Sequence, residues 1–194
     1  MEEKDVYREL SSIRNLMERS TKFISLSGLS GALAGLYALF GSVLAQRILA
    51  AGPEDMITPL LLTALAVLVL SVGTCLWLSL RKARKKGERV WNAASKGLLT
   101  QMSIPLAAGG LFIFALLFRG ETDLIAAACL IFYGLALVAG STFTFADVKG
   151  LGILEIVLGL LAILWPQHGL FFWAAGFGLL HIVYGTMMHF KYER

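Results

Sequence analysis

Residues 57–80 read ITPLLLTALAVLVLSVGTCLWLSL, 24 residues without one charged side chain. About 20 mostly apolar residues suffice to carry an α-helix across the ~30 Å hydrocarbon core of a bilayer. Working outward, comparable runs occupy residues 23–49, 98–118, 124–146, 150–165 and 170–190. With short connections they fill nearly all of the 194 residues. Hydrophobic residues make up 57% of the chain and charged residues 15%. A soluble domain carries roughly 45–50% and about 25%. A lipid-facing backbone must satisfy its own hydrogen bonds, so runs this long and continuous predict helices. A β-barrel would instead alternate polar and apolar over strands of about ten residues. The expected fold is all-α and polytopic. Six transmembrane helices form one domain over residues 23–190, preceded by residues 1–22 and followed by a tail at 191–194.

Lysine and arginine set the orientation. With the N-terminus cytoplasmic, one side holds the N-terminal segment, the 81–97 loop, Lys149 and the C-terminal tail, and with them 15 of the 17 Lys and Arg residues. The other side holds Arg47 and Arg119 with Glu54, Asp55, Glu121 and Asp123. Both termini are therefore expected inside. The first twenty residues are polar and lack the apolar run of a cleaved signal peptide, so the first helix is expected to direct insertion. Within them Val6, Leu10, Ile13 and Met17 recur at helical spacing, with Arg8, Arg14, Arg19 and Lys22 on other faces. That is an amphipathic helix suited to an anionic membrane surface, or to pairing with a copy of itself or with a cytoplasmic protein partner.

The basic run from Arg81 to Lys86 reads as a topology anchor, able to meet acidic lipid heads. No aromatic residues interleave it, so no nucleic-acid partner is expected. The lipid bilayer is the partner that composition implies. Cys75 and Cys129 form no Cys-x-x-Cys pair and read as packing residues. His168, His181 and His189 fall at different levels, which leaves no histidine pair for haem. No metal or other cofactor is expected.

Membrane helices associate through small residues that let backbones approach. In the first helix Ser27, Gly31 and Gly35 fall four apart, continued by Ala38 and Ser42. The stripe serves packing within the chain or a homo-oligomer seam. The fifth helix carries Gly152, Glu155 and Gly159, and the sixth Gly178, His181 and Gly185, at spacings of three and four. Glu155 and His181 are the ionisable residues well inside apolar runs. Each lies on a small-residue face, directed into the bundle. Counted from His168, both are thirteen residues away and fall at one level. Counted from a turn near Val148, Ser141 falls level with Glu155, and Tyr184 lies one turn nearer the cytoplasm.

A charged group in the membrane is costly and usually has a partner. Three readings of a layer of Glu155, His181, Ser141 and Tyr184 compete: a structural polar clamp, a proton-accessible site in a small transporter, channel or sensor, and a hydrolase with Ser141 as nucleophile. Intramembrane serine proteases of the rhomboid type carry Gly-x-Ser on the fourth helix. Here that helix reads Ala139-Gly140-Ser141-Thr142, without the spacing. A non-enzymatic, ion- or proton-responsive membrane protein is the leading expectation. The alternative is a structural or regulatory protein that holds a partner through its N-terminal helix and basic loop.

Gly152, Ile156, Gly159, Ile163, Pro166, Gly169, Gly176 and Gly185 resemble the two-helix repeat of HdeD-like acid-resistance membrane proteins. The resemblance covers about 35 residues and implies six transmembrane helices built from hairpins. Glu155 and His181 stand where such repeats are usually apolar. Residues 17–35 are similar to small bacterial inner-membrane proteins, which implies the bacterial inner membrane as the compartment.

Overall fold

The computed structural model describes residues 27–52, 54–85 and 91–192. The amphipathic N-terminal segment at 1–22, Lys86 and the end of the C-terminal tail lie outside them. Among the described residues six helices follow one another: α1 Gly28–Ala51, α2 Ile57–Lys85, α3 Ala93–Arg119, α4 Ile125–Gly140, α5 Asp147–Leu164 and α6 from Gly169 to Tyr192. There is no strand among the described residues. Five helical stretches are long and apolar enough to cross a membrane. The remaining helix, α5, spans 18 residues and includes Asp147, Lys149 and Glu155.

Local chemistry fixes the helix ends. Asp55 accepts a hydrogen bond from the Thr58 amide at 3.1 Å and so caps α2. Hydrogen bonds from Thr58 hold its carboxyl below the usual carboxylate range. Asn92 and Ser95 form a reciprocal capping box at the start of α3, each side chain accepting from the other's amide at 2.8 and 2.9 Å. Gly52 and Gly120 end α1 and α3 at φ of 56° and 75°, where a side chain would be strained.

In contrast to the expected run to 146, α4 ends at Gly140 and passes through a 3₁₀ turn at Ser141–Phe143 to the extended Thr144. Ser141 and Thr142 donate their hydroxyls to the carbonyls of Val138 and Ala139. Such local side-chain bonds compete with helix propagation.

Small residues lie inside the bundle and large apolar ones outside. The buried set is dominated by Ala38, Ala83, Ala94, Ala127, Ala128, Ala136 and Ala162, while Phe40, Leu111 and Phe118 are 75, 73 and 87% exposed. A soluble monomer rarely exposes so much contiguous apolar surface. Where water does not drive association, small residues at helix seams are the expected packing.

The seams are specific. An added Cβ on Gly35 would lie 2.5 Å from the Gly178 carbonyl, and one on Gly31 would lie 3.3 Å from the Gly185 Cα. Gly31 and Gly35 of the small-residue stripe therefore meet α6 of the same chain. Gly152 and Gly134 bring α5 against α4, with a Cβ on Gly152 2.7 Å from the Gly134 carbonyl. Gly159 packs on Ile131 and the Ala127 carbonyl in the same seam. α1, α4, α5 and α6 thus form the centre. α2 leans on α1, and α3 leans on α4.

At one end of the bundle Asp147 closes α5 onto α6. Its carboxylate accepts from Lys191 Nζ at 3.1 and 2.9 Å and from the Tyr192 hydroxyl at 2.7 Å. Tyr192 also stacks on Phe145 at 4.2 Å between centroids. Lys191 is half-exposed, so solvent screens the ion pair and its contribution is small.

Candidate functional site

Glu155 sits in the middle of α5, about 12 Å from its first residue in a helix about 27 Å long at 1.5 Å per residue. The Gly152–Gly159 face turns it inward, and the side chain is completely buried. Opposite it, α6 is not a uniform α-helix. After Gly169–Trp173 the backbone widens into a π-helical segment at Ala174–Leu180 before His181–Tyr192 resumes α geometry. Such widened turns occur often at functional sites.

The π segment places Gly176 and His181 together at this level. His181 Nδ1 lies 3.0 Å from the Gly176 carbonyl. A carbonyl only accepts, so Nδ1 carries a hydrogen. Nδ1 also lies 3.3 Å from Glu155 Oε1, within ion-pair reach. On the far side of the ring, Nε2 is 2.8 Å from the Tyr133 hydroxyl. With Nδ1 protonated, a neutral imidazole presents a lone pair at Nε2, and Tyr133 donates to it. A further proton at Nε2 reverses that bond, so the imidazolium donates to the tyrosine oxygen and faces the carboxylate.

Neither Glu155 oxygen has a hydrogen-bond partner among the described residues. Oε2 packs directly over Gly176, where even a methyl group would collide with it. Leu130, also fully buried, closes the same space. Phe177 stacks on the His181 ring at 5.9 Å and packs at a tilt against Tyr133 at 4.9 Å and Trp173 at 5.1 Å. The carboxylate is sealed, while about 9% of the His181 side chain is accessible.

The structure thus brings Glu155 and His181 together, at the level that counting from His168 predicts. It places the other two predicted members elsewhere. Ser141 lies on the turn beyond α4, bonded to Val138. The turn between α4 and α5 spans residues 141–146 and centres near 144, not on Val148, so the α4 residue level with Glu155 lies near 133. Tyr184 packs against the cluster of Leu137, Phe145, Val148, Leu151 and Met188, with its hydroxyl over Gly150. Tyr133 and Gly176 are the members that the sequence did not disclose. A buried tyrosine hydroxyl needs a partner, and that requirement is the signal that could have found Tyr133. No cluster of three or more His, Cys, Asp or Glu residues suited to a metal ion occurs among the described residues.

Tyr133→Phe keeps the ring packing and removes the donor to Nε2. Leaving a buried acceptor unsatisfied is expected to cost about 1–3 kcal/mol, read as a shift in the unfolding midpoint of the purified chain in detergent. A loss within about 0.5 kcal/mol, as for an uninvolved surface change, would rule out the Tyr133–His181 bond.

No family model, curated protein or solved structure matches this chain.

Proposed function

We propose that the chain is an integral protein of the bacterial inner membrane with six transmembrane helices and both termini cytoplasmic. Its Glu155–His181–Tyr133 cluster makes it a small ion- or proton-responsive transporter, channel or sensor, and not an enzyme. The observation that carries this reading is a fully buried carboxylate without a hydrogen bond, 3.3 Å from an imidazole. A charged side chain at the centre of a membrane helix costs about 2.5–3.5 kcal/mol on insertion scales. Replacing a buried ion pair by well-packed apolar residues is often neutral or stabilising. A clamp alone would be better built from leucines, so the retained pair points to a use for its charge.

Histidine is the side chain whose ordinary titration falls near neutral pH, and here it is the accessible end of the cluster. Protonation at Nε2 turns the Tyr133 bond around and creates a cation beside Glu155, so proton binding changes the charge state of the cluster. The large apolar exterior supports the bilayer setting. Arg81, Lys82, Arg84, Lys85, Lys96, Lys149 and Lys191 at one end of the bundle support a cytoplasmic location for that end. The likeness of the last hairpin to HdeD-like proteins favours acid response as the setting.

The test uses the full chain in vesicles, with acid-driven proton uptake as the readout. Wild type should take up protons when the outside is acidified. Glu155→Gln should insert and fold normally and lose the uptake. Unchanged uptake in both Glu155→Gln and His181→Ala would overturn the proposal.

A further inference from the structure

The longest helix, α2, ends in a cleft of about 430 Å³ lined by Trp77, Leu80, Arg81, Arg84 and Lys85. These positions share one face of the helix at spacings of three, four and seven. The Arg81 guanidinium lies over the Trp77 ring, 5.7 Å from its centroid. That contact holds one cation at the apolar boundary, where Arg81 also lines the cleft. Below the rim, Leu76 and Trp77 are 57 and 61% exposed. α2 packs on α1, and its outer face carries no other helix among the described residues. An apolar strip therefore runs into a pocket with three cations.

We infer that this cleft is a binding site for an anionic phospholipid, its phosphate held by Arg81, Arg84 and Lys85 and an acyl chain laid along Leu76, Trp77 and Leu80. The inference rests on the membrane reading above. Charge complementarity selects the occupant. Three cations face a C-terminal helix dipole of about half a negative charge, so an anion remains favoured by a wide margin. The adjoining strip selects a lipid over free phosphate, because only an amphiphile fills both parts. Arginine's planar fork suits a phosphate, and the stacking on Trp77 orients it in advance. A basic side chain near an anionic surface contributes about fivefold in affinity, so the three together supply on the order of a hundredfold preference over a zwitterionic lipid.

The experiment is native mass spectrometry of the full chain, released from detergent with short-chain phosphatidylglycerol or phosphatidylcholine, or with inorganic phosphate. Phosphatidylglycerol should be retained on the order of a hundredfold more strongly than phosphatidylcholine, and inorganic phosphate should not displace it. The triple variant Arg81→Gln, Arg84→Gln, Lys85→Gln should lose the preference, and Trp77→Ala should weaken it. Arg47→Gln with Arg119→Gln, at the opposite end of the bundle, should keep it. Equal retention of the two lipids, displacement by inorganic phosphate, or an unchanged preference in the triple variant would overturn the site. Co-flotation of each variant with phosphatidylcholine vesicles separates the two readings. A chain that floats yet shows no preference refutes the lipid site alone, and a chain that does not float refutes the membrane reading with it.

Discussion

His181→Ala should lower the stability of the purified chain by about 3–5 kcal/mol, the cost of removing one partner from a buried pair. Glu155 is fully buried, and the His181 imidazole lies 3.3 Å from its carboxylate. Truncation leaves the carboxylate with no compensating group and opens a space between Phe177 and Tyr133. The double variant Glu155→Gln with His181→Ala should be more stable than His181→Ala alone, because the amide carries no charge to strand. A double-mutant cycle on unfolding in mixed detergent micelles reads the coupling directly. Coupling between contacting residues falls at about 0.5–3 kcal/mol, and additivity within about 0.5 kcal/mol would mean that the two side chains do not act as a pair.

The second large effect lies at the seam between α1 and α6. A Cβ on Gly185 meets the Gly28 carbonyl at 2.7 Å and the Gly31 carbonyl carbon at 2.8 Å, and collides with the Ala32 amide. All three are backbone atoms, so no rotamer change relieves the clash and the helices must separate. Gly185→Val is expected to cost 3 kcal/mol or more, at or beyond the upper end of the roughly 1–3 kcal/mol found for overpacked cores. It should also expose the α1 stripe. Gly110 provides the contrast, because nothing lies within 4 Å of a Cβ placed there. Gly110→Ala should be neutral or stabilising by up to about 1 kcal/mol, through helix propensity. Equal losses for the two variants, read as the detergent unfolding midpoint, would contradict the close α1–α6 contact.

Helices were legible because each run of apolar residues had one physical solution, and their order follows from the short turns. The inward direction of Glu155 was legible as well, since Gly152 and Gly159 mark the face on which a backbone can approach. The partner of each seam was not. Gly31 and Gly35 suit any small-residue surface, and only the folded chain shows that Gly178 and Gly185 are what they meet. The α4 end of the site was misread by a few residues, because an apolar stretch through Phe143 and Phe145 hides a turn made by hydroxyls bonding to their own backbone. That slip replaced Tyr133 with Ser141. Gly176 was invisible for another reason: the spacing of Ala174, Gly178, His181 and Gly185 looks like an unbroken α-helix, and nothing in composition announces a π segment.

That widened segment ties two parts of the molecule into one mechanical piece. Each residue added to or removed from a helix turns everything beyond it by about 100° and slides it by about 1.5 Å. In α6 the extra width at Ala174–Leu180 lets Gly176 and His181 face Glu155 and Tyr133 while Gly178 and Gly185 face α1. Deleting one residue between 174 and 180 would restore a regular helix and swing the imidazole away from its carboxylate. It would also turn Gly185 out of its groove. The length of this segment is therefore fixed from two directions, so substitution can adjust the neighbourhood of His181 but insertion and deletion cannot.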